Sequence, residues 1–184
     1  ARKALEKGAD GLIAVAAGAG GHAGVQSPFA LLQEIRAFFD GPLLLSGAIA
    51  TGRAVLAAQA AGADLAYIGS PFIATTEANA TPAYKQMIVD SSAEDVIYTP
   101  AFTGISGNYL KPSIRAAGID PDGLANATPE TMDFSKGQHE AKAWSQIWGA
   151  GQGIGAVHEI QPVAGLVDRL EAEYLAARRE LALA

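Results

Sequence analysis

Pro42-Leu43-Leu44-Leu45-Ser46-Gly47-Ala48-Ile49-Ala50-Thr51-Gly52-Arg53 places a short apolar run, a glycine turn and a helix start in immediate succession. An apolar run too short for a helix and closed by glycine reads as a strand buried on both faces of a parallel sheet. Thr51 is placed to cap the following helix, because its hydroxyl can accept an orphan amide of the first turn, and Gly62 ends that helix. The same texture lies on either side. Asp10 to Val15 is an apolar run after Gly8, and Asp64 to Ile68 is a third run, before Gly69-Ser70. Ser27 and Pro28 mark an intervening helix to about Phe39, with Leu31, Leu32, Ile35, Phe38 and Phe39 at helical spacing. Strand, helix, strand, helix, strand is a βαβαβ unit, so the expected fold class is α/β. Gly8-Ala9-Asp10 recurs as Gly62-Ala63-Asp64, each a helix end running into a strand start, as βα repeats produce.

The chain opens inside a helix, Ala1 to Lys7, and so reads as a fragment that starts within a domain. Thr81-Pro82 begins another helix, to about Ser91, and Val96 to Ala101 reads as an extra strand. Thr103 to Ser113 is polar, with Gly104, Gly107 and Pro112, and is expected to be a long loop of the kind that often carries function. Pro121 to Lys136 is also loop-like, a helix carrying Trp144 and Trp148 is expected next, and the last helix spans about Pro162 to Leu183. Residues 1–92 are thus read as βα units and residues 93–184 as an extension of loops and helices packed on them.

With 184 residues, 49% hydrophobic and 17% charged, the chain can bury a core and lacks the composition of a disordered segment. The net charge of −6, with no basic cluster, argues against nucleic acid as a partner. Cysteine is absent, which excludes disulfides and thiolate chemistry and fits a reducing cytosol. No apolar run has the roughly 18 residues that a membrane span requires.

Three expected strand ends carry glycine: Gly18-Ala19-Gly20-Gly21-His22-Ala23-Gly24, Ser46-Gly47-Ala48 and Gly69-Ser70. Each turn either aims backbone amides at an anion or only makes a tight βα bend. Two successive strand ends with the same pattern favour a shared phosphate, which barrels hold on the loops after their last two strands. The first turn alone also fits a dinucleotide fingerprint, but Val25 to Ser27 separate it from the helix at Pro28, and Asp40 precedes the second strand instead of ending it.

Ala19-Gly20-Gly21-His22, the segment Leu44 to Arg53, and Gly62-Ala63-Asp64 through Gly69-Ser70-Pro71-Phe72-Ile73-Ala74-Thr75 resemble the nitronate monooxygenases, also called 2-nitropropane dioxygenases. Gly149-Ala150-Gly151-Gln152-Gly153 resembles a motif near the end of that family. The resemblance implies an FMN-dependent (β/α)8 TIM barrel, of which the three strands here would be the last three, with a mainly helical C-terminal extension. It implies that His22 is the active-site histidine beside the flavin and that Gly20 and Gly21 lie near the cofactor. Ser46, Gly47, Ala48, Gly69 and Ser70 would form the phosphate turns. It further implies oxidation of alkyl nitronates or nitroalkanes with oxygen to carbonyl compounds and nitrite. The chain departs from the family pattern at Ala48, where glycine is common, and at Pro71, which removes an amide and a cation. It also has Gly18 and Val15 where an acid and a polar residue are frequent.

Histidine suits proton transfer near neutral pH, although a turn histidine can also serve only to bond backbone. Gln152, Tyr109 and Lys111 are weaker substrate candidates, the last two as members of the expected loop. His139 and His158 lack partners at metal-ligand spacing, so no metal is expected. Trp144 and Trp148 read as core, and Arg169 and Glu171 as a solvated face. The rival functions are an FMN-dependent NAD(P)H reductase of enoyl thioesters or quinones, a non-redox phosphate-binding barrel, and a non-catalytic fragment. Open sheet edges in half a barrel make a homodimer a further expectation.

Overall fold

The structure, a computed structural model, describes residues 1–124 and 145–182. Strands β1 (Leu12–Val15), β3 (Leu43–Ser46) and β4 (Leu65–Ala66) form a parallel sheet in the order β1-β3-β4. Leu12 pairs with Leu43 and Leu44 with Leu65. Helix α1 (Arg2–Glu6) precedes the sheet, and α2 (Pro28–Arg36) and α3 (Gly52–Ala60) make the two crossovers. Parallel neighbours need such crossovers because a tight hairpin cannot join them. The chain therefore has an α/β fold, as the glycine-closed apolar runs imply.

Alternate strand residues meet the helices. Leu12, Ala14, Leu43 and Leu45 are buried with Leu32 and Ile35 of α2 and Ala58 of α3 in one cluster. Leu32 and Leu43 are completely buried, so truncating either to alanine should cost about 2–5 kcal/mol. The opposite face differs from the expectation of burial on both sides. Ile13, Val15, Leu65 and Tyr67 are 40–58% exposed.

Local signals set the helix ends. Thr51 accepts the Ala54 amide at 3.1 Å and Thr81 accepts the Tyr84 amide at 3.3 Å. Ser27 occupies the cap position of α2, but its side chain makes no capping bond there. Gly8 and Gly62 both stand at positive φ, 87° and 108°, where a helix reverses into a strand. This is the structural content of the Gly-Ala-Asp echo. After the second copy, Asp64 accepts the Leu43 amide and pairs with Arg36, both at 2.8 Å.

Beyond Ser70 the chain builds a second sheet. Helices α4 (Ser70–Ile73) and α5 (Pro82–Asp90) lead to β5 (Val96–Thr99), the extra strand expected there. The expected loop from Thr103 to Ser113 is instead strand β6 (Gly107–Leu110) followed by helix α6 (Lys111–Ala116). β6 lies between β5 and the short β2 (Gly21–His22), antiparallel to both, and all four of its residues are buried. Glycine and proline spacing hid this strand, because its burial comes from neighbours distant in sequence. Trp148 is not helical. The Leu110 amide donates to its carbonyl at 2.8 Å, and Gly149 bridges to Tyr109, so this stretch runs along β6. Trp144, His139 and most of the segment Pro121 to Lys136 lie outside the described residues. Helix α7 (Val163–Ala182) packs along α3. Among the described residues no helix is long and apolar enough to cross a membrane.

Candidate active site

The strand-end turns converge on one hollow of about 240 Å³. Gly20 and Gly21 line it from the first turn, Ser46, Gly47 and Ala48 from the second, and Gly69 and Ser70 from the third. The backbone here is specialised. Gly47 has φ 151°, and a methyl group on it would stand 2.9 Å from the Ala17 carbonyl. Ala48 adopts φ 54°, the sole positive value among the described non-glycine residues. An alanine held in this region carries local strain that its surroundings must support.

A fourth segment closes the hollow. Gly149, Gly151 and Gly153 line it, packed so closely on the first two turns that side chains are excluded. A Cβ on Gly20 would lie 2.7 Å from the Gly151 nitrogen, and one on Gly153 would lie 2.6 Å from the Ala48 carbonyl oxygen. The Gly18 carbonyl accepts the amides of Ala48 at 3.1 Å and Gln152 at 2.9 Å. Ser70 accepts the Gly151 amide at 2.8 Å, which joins the third turn to the same segment. Asn108 of β6, almost fully buried, donates to the Ala19 carbonyl at 2.7 Å.

The hollow has the character of an anion site without a cation. Among the described residues no charged side chain lines it. The amides of Gly47, Gly69 and Ser70 meet no protein acceptor among the described residues. A methyl at Gly69 would meet nothing within 4 Å, so a ligand can approach that backbone closely. The amide at the start of α3 is already taken, since Gly52 donates to Glu173 at 2.7 Å. The residues present therefore fit a phosphate-bearing group such as FMN, held by backbone dipoles on the turns.

His22 sits on β2 immediately after the lining residue Gly21, but is not itself part of the lining. It is exposed, with Nε2 3.0 Å from the Thr103 hydroxyl. Gln152 is exposed beside Gly18. Tyr109 is corrected as a substrate candidate. It is fully buried, with its ring edge-on to Phe102 at 5.1 Å. Burial raises its phenol above the ordinary tyrosine range, against a smaller opposing contact from Thr103. Lys111 also lies away from the hollow, because its ammonium donates to the Glu94 carbonyl at 2.7 Å.

Two lining residues escaped the sequence reading. Tyr67, half-exposed, stands where β4 leaves the sheet, two residues before Gly69, and its aromatic position in an apolar run was the available signal. Tyr84 comes from α5, stacks on Trp148 at 4.9 Å and donates to the Gly149 carbonyl at 2.5 Å. Nothing local in the sequence ties it to the glycine turns. Among the described residues no group of three or more histidines and carboxylates could hold a metal ion.

Parallel strand–helix units with a glycine-walled hollow at their strand ends define an α/β protein with a candidate site at its βα turns. A family model described as nitronate monooxygenase matches residues 1–173, and the chain belongs to that family. A nitronate monooxygenase of Paraburkholderia phytofirmans is 30% identical over an alignment that covers 90% of this chain and 49% of the relative. One of Pseudomonas aeruginosa is 29% identical, with 90% and 51% covered. The chain spans about half the length of the curated relatives it matches. Among solved structures, FabK from Thermotoga maritima superposes with a TM-score of 0.78 at 27% identity, covering 98% of this chain and 59% of that one. A nitroalkane oxidase from Streptomyces ansochromogenes superposes with a TM-score of 0.74 at 30% identity, covering 98% and 56%.

Proposed function

We propose that this chain is the C-terminal part of an FMN-dependent TIM-barrel oxidoreductase that converts alkyl nitronates or nitroalkanes, with oxygen, to carbonyl compounds and nitrite. β1, β3 and β4 would be the last three strands of the barrel. Residues 1–92 would supply the βα units and 93–184 the part packed on them. The observation that carries this reading is the common hollow between the Gly47 and Gly69 turns, with three amides available to an anion. Family membership and the likeness to a nitroalkane oxidase support it.

When bound, the flavin would supply the electron transfer between substrate and oxygen. The chain's own residues hold, orient and handle protons. Gly47, Gly69 and Ser70 would donate to the phosphate. Ser70, whose oxygen already accepts the Gly151 amide, keeps its proton for the same anion. His22, one residue beyond the lining, would orient an anionic nitronate or take the α-proton of a neutral nitroalkane.

Three measurements test this. An absorbance scan of the purified whole gene product should show a flavin spectrum, and a colourless protein would leave only the non-redox reading. His22→Ala should lower turnover by about 10²–10⁴-fold with flavin retained, and unchanged turnover would remove His22 from the reaction. Rapid bleaching by NADH without oxygen would point to the NAD(P)H reductase instead.

A further inference from the structure

Strand β6 reaches the first glycine turn through one buried side chain. Asn108 is 2% exposed, and its Nδ2 donates to the Ala19 carbonyl at 2.7 Å. The same residue pairs with Gly21 of β2 and Tyr98 of β5, and its carbonyl accepts the Ala150 amide at 3.3 Å. Its backbone is therefore held from three sides. Its Oδ1 is buried and meets no donor among the described residues. Across the peptide from the Ala19 carbonyl stands the Gly20 amide. That amide meets no protein acceptor among the described residues, and Gly20 lines the hollow.

We propose that Asn108 is a positioning residue that aims the Gly20 amide at the anion in the hollow, so that the first turn joins the second and third in holding it. A carbonyl oxygen only accepts, so the carboxamide must face Ala19 with its NH2 group. The peptide joining Ala19 to Gly20 is planar and trans, so its N–H points opposite to its C=O. Fixing the carbonyl on the β6 side therefore fixes the amide on the other side. Backbone dipoles do the work of a cation here, and each aligned N–H adds to the field at the anion. Burying Oδ1 without a donor costs the fold stability, so leucine, of similar size, would remove the Ala19 bond and the orphan acceptor together. The proposal rests on the anion reading of the hollow, and not on the redox reaction or on His22.

Flavin titrations of the whole gene product, stripped of bound cofactor, test it. Asn108→Leu should weaken FMN about tenfold, within the reach of one hydrogen bond to a charged group. Riboflavin, which lacks the phosphate, should bind as it does to the parent, and the melting temperature should stay close to the parent's. A turn that had merely loosened would weaken both flavins alike. Equal losses for the two flavins, or parent-like affinity for FMN, overturn the proposal. If Asn108→Leu does not fold, proton–nitrogen NMR of the parent decides. The Gly20 amide proton should then move downfield with FMN and stay in place with riboflavin, and a resonance that FMN leaves unmoved overturns the assignment. A parent that takes up neither flavin removes the flavin reading instead. The same Gly20 resonance, followed with inorganic phosphate, then decides the role of Asn108 separately.

Discussion

Tyr84 ties the hollow to the segment that closes it. Its ring stacks on Trp148 and its hydroxyl bonds to Gly149. Burial pushes its phenol up to about 12. Because the folded pKa is raised, the stabilisation this residue gives is complete below the ordinary tyrosine value of about 10. It is lost as pH rises from there through the folded value. Tyr84→Phe should cost about 1 kcal/mol in denaturant unfolding and should flatten the alkaline part of the stability curve. Gly153 invites the opposite perturbation. Gly153→Ala would force a methyl against the Ala48 carbonyl, costing about 1–3 kcal/mol and weakening flavin retention on a desalting column. The glycine turns were legible in the sequence because their residue type is itself the signal. His22 and its neighbourhood were legible only in part. Its place after Gly21 was visible, but its Thr103 partner belongs to a segment read as loop.

At the scale of elements, the βαβαβ unit was readable because each strand, cap and helix end carries its own local mark. Thr51, Thr81, Gly8 and Gly62 all act in the structure as their chemistry implies. β6 was not readable. Its burial between β2 and β5 depends on pairing across the chain, and Tyr109 and Lys111 moved away from the candidate site with it. The contact of α3 with α7 was equally hidden, although it decides which amides stay available. Glu173 takes the Gly52 amide, so Glu173→Ala should destabilise α3 by about 1 kcal/mol, measured by thermal unfolding. At the far end of the same unit, the Leu43 amide and then the Arg36 guanidinium hold the Asp64 carboxyl below the usual range. A lowered carboxylate stabilises the fold above its ordinary pKa and stops doing so as pH falls through the folded value. The melting temperature should therefore fall below about pH 4, and more steeply in the parent than in Asp64→Asn.

For the whole molecule, the uncovered sheet face is the dominant feature. Ile13, Val15, Leu65 and Tyr67 form an apolar surface, and β1 and β4 end the sheet without a neighbour among the described residues. Hydrophobic surface beside open strand edges drives association. Light scattering on this chain alone should report a dimer or larger species, and Val15→Lys with Leu65→Lys should shift it toward monomer. A monodisperse monomer at micromolar concentration would contradict this. The alternation that exposes this face was present in the sequence, but a continuous apolar run does not reveal which side a helix covers.

The Gly18 carbonyl receives two amides from segments more than a hundred positions apart, Ala48 and Gln152. Neither can swing outward without unseating the acceptor that the other uses. Deuterium uptake at both positions should therefore follow a single co-operative opening, so two segments distant along the chain would breathe together around one oxygen atom.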